Sequence, residues 1–267
     1  DAQLSRGLGD VYKRQTGRAA KHKTSELRRE IGSFGDPSLG PTITLICGIH
    51  GNEPAGVCAA ERVLEHLSRH QPTSRGRLIA LIGNVTALSQ GKRYIQEDLN
   101  RMWSQELDES AASEEALEAV QLKNAIDEII QTSSKGILFL DLHTTSSDSK
   151  PFAIFGDTIR NRNLAMGLHV PLILGLEESI RGTLIEFLTD RGYIAIAYEA
   201  GQHEAEDAID KHEAAIWLAL AHTGVLNEKD VPNLKAHQQL LDRASASLPR
   251  VMEVYHRHAI QPGDHFT

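Results

Sequence analysis

Apolar residues in this chain fall into two patterns that alternate along its length: short β-branched runs, and longer stretches with a helical period. Residues 42–47 (TITLIC) are the first compact run, and a run of that length between turn residues reads as a buried strand. Gly48, Gly51 and Asn52 punctuate its end, and Glu53-Pro54 opens a helix with proline in the first turn, where a missing N–H costs nothing. Across 54–70, Val57, Ala60, Val63, Leu64 and Leu67 recur at helical spacing. A turn at 71–76 leads to a second buried strand at 77–83 (RLIALIG), and 86–91 is a short connection of about one helical turn. Residues 111–132 predict a long amphipathic helix whose acidic side, Glu114, Glu115 and Glu118, reads as a solvated face. The strongest strand is 137–142 (ILFLDL), followed at once by His143 and a polar loop at 144–150. Short strands at 152–155 and 172–176 flank a helix at 159–167, and 183–191 is a further helix. Residues 193–198 (YIAIAY) form a buried strand running into Glu199, and 204–221 is a helix of good apolar period.

Strands alternating with helices at this spacing predict an α/β domain with a largely parallel sheet. From Glu228 the pattern changes: 231–233 reads as a linker, 234–246 as a helix, and 250–260 alternates as a strand. The expected organisation is a main domain at 31–228 and the incomplete start of a second, β domain at 229–267. The last strand, with no finished domain to join, is expected to be an exposed, aggregation-prone edge. Residues 1–30 are rich in Lys, Arg, Gly and Gln, show no period, and lack the apolar stretch of a secretory signal. Within them, 8–15 (LGDVYKRQ) looks like translated adapter sequence, so 1–30 are expected to be disordered or non-native.

Composition narrows the partners. A chain of 267 residues with 40% hydrophobic content is large enough for one sizeable core or one core plus a small domain. A net charge of -8 argues against a nucleic-acid partner, and no run approaches the roughly 20 apolar residues of a membrane span. The two cysteines, Cys47 and Cys58, fall in the first strand and the helix after it, so reduced structural thiols are expected, compatible with a cytoplasmic location.

The chemistry gathers where apolar runs end. His50 and Glu53 sit on the turn between the first strand and its helix, and His143 and Glu199 follow two other strands. Ligands of open α/β sheets bind outside the carboxyl ends of strands, so these four side chains should share one edge. Catalytic zinc takes three protein ligands and leaves a fourth place for water, whose pKa it lowers towards ~7. His50, Glu53 and His143 would be those ligands, and Glu199 a general base; a buried ion pair of Glu199 with Arg93 or Arg101 is the plainer alternative. Asp141 could orient His143 or simply bond backbone amides. The polar segment 92–103 reads as a binding loop, in which Arg93 could stabilise an oxyanion while Asn100 and Arg101 capture a carboxylate; loop–sheet salt bridging is the alternative.

In order and approximate spacing, residues 48–53 (GIHGNE), Arg93-Tyr94, 98–101 (DLNR), 141–143 (DLH) and 199–201 (EAG) resemble the succinylglutamate desuccinylase/aspartoacylase family, over about 43–225. The resemblance implies a zinc carboxypeptidase-like α/β/α fold and one Zn2+ held by His50, Glu53 and His143. It implies that Glu199 promotes water and shuttles the proton, that Arg93 polarises the scissile carbonyl, and that Asn100 and Arg101 hold the carboxylate of an N-acyl amino acid. The expected activity is deacylation, with a zinc carboxypeptidase-like peptidase and a non-catalytic metal-binding fragment as rivals. Aspartoacylase-like members carry a further substrate arginine in a Thr-Arg pair before the catalytic Glu. No such pair occurs here, and neither Arg181 nor Arg191 matches it, which leaves the acyl group open. The stretch 254–266 (VYHRHAIQPGDHF) resembles the first strand and turn of the family's C-terminal β domain, so a fragment with a more open site is expected.

Overall fold

The computed structural model describes residues 27–104 and 113–258. Its strands are β1 (Glu30–Gly35), β2 (Thr42–Cys47), β3 (Arg77–Ile82), β4 (Ile137–Thr145), β5 (Phe152–Ile154), β6 (Leu172–Leu174), β7 (Ile194–Gln202) and β8 (Val251–Glu253). They form one sheet in the order β1-β3-β2-β4-β7-β5-β6-β8. The central run β3-β2-β4-β7 is parallel, as are β5-β6 and β6-β8, while β1 and β5 run antiparallel to β3 and β7. The helices are α1 (Ala55–His70), α2 (Val85–Gln90), α3 (Glu114–Thr132), α4 (Ile159–Met166), α5 (Leu184–Asp190), α6 (Ala208–His222) and α7 (Leu234–Ala244).

Strand alternation divides the core into two layers. Ile43, Leu45 and Cys47 of β2 and Leu138, Leu140 and Leu142 of β4 pack with Val63 and Leu67 of α1 and Ile216 of α6. The intervening Ile46 and Phe139, with Ala195 and Ala197 of β7, face Leu122 and Ile126 of α3 and Leu184 and Leu188 of α5. The fold is therefore the expected three-layer α/β/α arrangement around a mixed, mostly parallel sheet. Strands buried on both faces need continuous apolar sequence, which is why β2, β4 and β7 were the clearest runs in the chain. Each fully buried Leu or Ile stabilises the fold by roughly 1.5–3 kcal/mol. Neither Cys47 nor Cys58 is in a disulfide, and both are buried within the first layer. Among the described residues, no helix is long and apolar enough to cross a membrane.

Several elements differ from expectation. β4 and β7 run beyond their apolar stretches, so His143 and Glu199 lie inside the ladder and face each other in register rather than following the strands. Backbone pairing continues after the hydrophobic pattern has stopped. Helix α3 begins at Glu114 behind a Ser113 cap; the start expected at Ala111 lies outside the described residues. Of its acidic side only Glu114 is exposed as expected; Glu115 is 0% exposed and Glu118 5%. Both buried carboxylates accept backbone amides, Glu118 from Val85 and Thr86 at the start of α2 and Glu115 from Ile95 and Gln96 in the loop beyond it. Helix α6 starts at Ala208 rather than Glu204.

β1 was not foreseen. Arg29, just before it, donates to the carbonyls of Ile82 and Gly83 and pairs with Glu118, so these residues belong to the fold rather than to an excluded leader. The disordered or non-native segment expected at 1–30 otherwise lies outside the described residues. Of the strand expected at 250–260, the described residues form β8 alone, three residues that pair in parallel with β6, and 259–260 lie outside the described residues. Residues 254–258 have no regular structure, and Tyr255 is 91% exposed. Alternation alone had no partner strand to sustain it.

Candidate metal centre

The site forms where β2, β4 and β7 end. After β2, Gly48 adopts φ 64°, and the chain turns so that His50 and Glu53 point back over the sheet edge. Gly51 makes this turn possible, because a Cβ there would lie 2.1 Å from the carbonyl carbon of Ala87 in α2. β4 supplies His143 and β7 supplies Glu199.

His50, Glu53 and His143 are all buried, and one donor atom from each lies within 4.8 Å of the others. His50 Nδ1 is 2.8 Å from Glu53 Oε1, and His143 Nδ1 is 3.3 Å from Glu53 Oε2. The rings approach with centroids 5.2 Å apart. Each outward nitrogen meets a second carboxylate: His50 Nε2 stands 3.0 Å from Asp98 Oδ1, and His143 Nε2 stands 2.9 Å from Asp141 Oδ2. The Asp141 approach lacks hydrogen-bond alignment and acts as a contact of charges. Two imidazoles and a carboxylate facing one point, with each imidazole backed by an acid, is the donor set that zinc takes. The residues fit that ion.

Electrostatics follow from the crowding. Burial raises the Glu53 carboxyl, but the hydrogen bonds and charges of His143 and His50 outweigh it and hold Glu53 well below the usual range. Burial lowers His143, and Asp141 and Glu53 overturn that, leaving the imidazole well above its ordinary value. Glu199 is different. Burial pushes it up to about 7, helped by Glu53 and Asp141, and its Oε2 has no hydrogen-bond partner. The plainer expectation, an ion pair of Glu199 with Arg93 or Arg101, is not what the structure places there.

The loop between α2 and α3 brings the remaining side chains. Arg93 Nη2 donates to Asp98 Oδ2 at 3.0 Å, and Nη1 lies 3.6 Å from Glu53 Oε1, with the side chain 41% exposed. A 3-10 turn, Leu99–Arg101, is capped by Asp98. Asn100 is buried, and its Oδ1 accepts from Leu184 N, the first residue of α5. That leaves its side-chain NH2 as the group able to meet a ligand. Arg101 is exposed and donates to the Asn100 carbonyl. Arg191 is stacked 3.4 Å over the Phe187 ring and donates to the Phe187 carbonyl.

Three contributors were not singled out from sequence. Asp98 joins His50 to Arg93; Thr144 N donates to Glu53 Oε2 at 2.8 Å; and His203 meets Thr144 Oγ1 at 2.7 Å. Asp98 was signalled only by its place beside Asn100 and Arg101.

Fold and site define an α/β protein with a candidate metal centre at the carboxyl edge of its sheet. Residues 39–223 match the family described as Succinylglutamate desuccinylase/Aspartoacylase catalytic domain, and the chain belongs to that family. It is 33% identical over 118 residues to a succinylglutamate desuccinylase of Pseudomonas fluorescens (strain Pf0-1), covering 43% of this chain and 35% of that protein. It is 34% identical over 128 residues to that of Pseudomonas putida (strain GB-1), covering 47% and 38%. The matches thus span little more than a third of these relatives. Among solved structures, the succinylglutamate desuccinylase of Chromobacterium violaceum aligns with TM-score 0.61 at 19% identity, over 85% of this chain and 77% of that one. A succinylglutamate desuccinylase/aspartoacylase of Rhodobacter sphaeroides aligns with TM-score 0.55 at 23% identity, over 70% and 56%. At these identities the structures speak to the fold alone.

Proposed function

We propose that this chain forms the catalytic domain of a zinc-dependent deacylase that hydrolyses the acyl-amide bond of an N-acyl amino acid. One observation carries the reading: the converging donors of His50, Glu53 and His143 lie beside the half-buried Glu199, whose Oε2 is shielded from solvent and has no hydrogen-bond partner. The family membership supports the reaction class. Zinc, when bound, supplies Lewis acidity and lowers the pKa of water.

The chain's own residues do the rest. Asp98 hydrogen-bonds the outward nitrogen of His50 and so orients that ring, while Asp141 sets a negative charge 2.9 Å from the outward nitrogen of His143. Glu199, poised near 7, accepts a proton from water and returns it to the leaving amine. Arg93, anchored by Asp98 and open to solvent on one side, offers positive charge to the oxyanion of the acyl carbonyl. The Asn100 amide and the Arg101 guanidinium are donors for the amino-acid carboxylate. The names of the curated relatives support a small-molecule substrate.

The test is elemental analysis of the purified chain followed by a substrate panel at matched metal loading. One zinc per chain and turnover of N-acyl amino acids ahead of short peptides are expected. Preference for peptides would move the assignment to a carboxypeptidase-like peptidase, and metal uptake with no turnover of either class would leave a metal-binding domain only.

A further inference from the structure

Glu115 lies in the first turn of α3, 0% exposed, and makes no contact with the metal donors. Its carboxylate instead receives successive backbone amides of the loop before it: Ile95 N at 2.6 Å on Oε1, and Gln96 N at 3.0 Å and Glu97 N at 3.3 Å on Oε2. Consecutive N–H groups converging on one anion form a nest, an arrangement in which fixed backbone dipoles bind negative charge. Here the anion is supplied by the protein itself. Asn84 Nδ2 adds a donor at 3.4 Å, and Asn84 also caps α2, against whose Ala87 carbonyl Gly51 packs.

The position of that nest matters more than its existence. It occupies the segment between Arg93 and Asp98. Asp98 follows the last of the bound amides directly, and its two oxygens reach His50 Nε2 at 3.0 Å and Arg93 Nη2 at 3.0 Å. The turn at His50–Gly51 is tied to the same loop, since Gly51 N donates to the Arg93 carbonyl at 3.2 Å. We infer that Glu115 is a positioning residue for the metal centre: by clamping the Ile95–Glu97 amides it fixes Asp98, and through Asp98 the orientation of His50 and Arg93. The inference rests on the zinc reading above.

Glu118, on the same helix, provides an internal control. It serves Val85 N, Thr86 N and Thr86 Oγ1 and pairs with Arg29, so it holds scaffold and not the loop. E115Q replaces one acceptor oxygen with a donor that opposes a backbone amide. Zinc titration of the metal-free protein should show affinity weakened about tenfold or more in E115Q, the range expected when an orienting partner of a ligand is disturbed. E118Q should lower Tm while leaving zinc affinity within about twofold of wild type. Equal losses of Tm with zinc affinity unchanged in both variants would overturn the proposal.

A measurement on the unaltered chain covers the case in which E115Q does not fold. Coupling between two sites is reciprocal, so zinc must slow amide exchange at Ile95, Gln96 and Glu97. Exchange there that ignores zinc overturns the proposal. Zinc uptake and loop protection without hydrolysis would overturn the deacylase reading and leave this one standing, whereas a chain that takes up no zinc overturns both.

Discussion

Two groups of carboxylates, one on α3 and one at the candidate metal centre, are treated by the fold in opposite ways. Glu115 and Glu118 of α3 are surrounded by donors, mostly backbone amides, and neither is left wanting a partner. Glu53, Asp141 and Glu199 are packed against imidazoles and one another, and Glu199 Oε2 and both Asp141 oxygens lack a hydrogen bond. Satisfied carboxylates stabilise a loop. Crowded, partnerless ones cost stability, because buried polar groups are ordinarily paired. A protein keeps such a cluster where burial and neighbouring charge are needed to tune reactivity.

The sharpest way to break the contrast is E199Q. If Glu199 is the proton carrier, turnover should fall by about 10²–10⁴-fold with zinc content unchanged. Turnover within about tenfold of wild type would remove Glu199 from the mechanism. On the scaffold side, E118Q should cost about 1–3 kcal/mol in urea unfolding, since buried amide donors lose their acceptor. A cost near zero would mean those amides find other partners.

His212 gives a subtler test. It is fully buried on α6, its ring 5.4 Å from that of Tyr198, and burial pushes it down to about 3. Between that value and the ordinary 6.5 the unfolded chain binds a proton that the folded one refuses. Stability from this group is therefore present above about 6.5 and is lost as pH falls below it, by about 1.4 kcal/mol per pH unit. His143, shifted upward, keeps its proton in both states below 6.5 and does not oppose this slope. H212F should be flatter than wild type by about that amount between roughly pH 4.5 and 6, read from urea midpoints. Parallel curves would place the acid sensitivity elsewhere. The smallest effect concerns β8, which among the described residues is paired on one side only. Its amides should exchange faster than those of β4, and equal protection would contradict an exposed edge.

How far the chain could be read follows the same division. β2, β4 and β7 were plain because strands covered on both faces must be apolar throughout, and His50, His143 and Glu199 were conspicuous as polar residues at the ends of such runs. β1 was obscure because an edge strand is half exposed and owes its form to β3. Glu115 and Glu118 were misread as solvated because helical periodicity reports which face is apolar, not whether a polar face meets water or a neighbouring loop. Asp98 looked like one more charge in a polar segment until Arg93 and His50 were seen on either side of it.

Sequence by itself determined the alternation of strands and helices and the parallel run of the central strands, because these depend on residue type and local period. Only the tertiary structure decided which carboxylates became anchors and which were left reactive. That outcome turns on which backbone amides arrive beside each oxygen, and those amides come from distant parts of the chain.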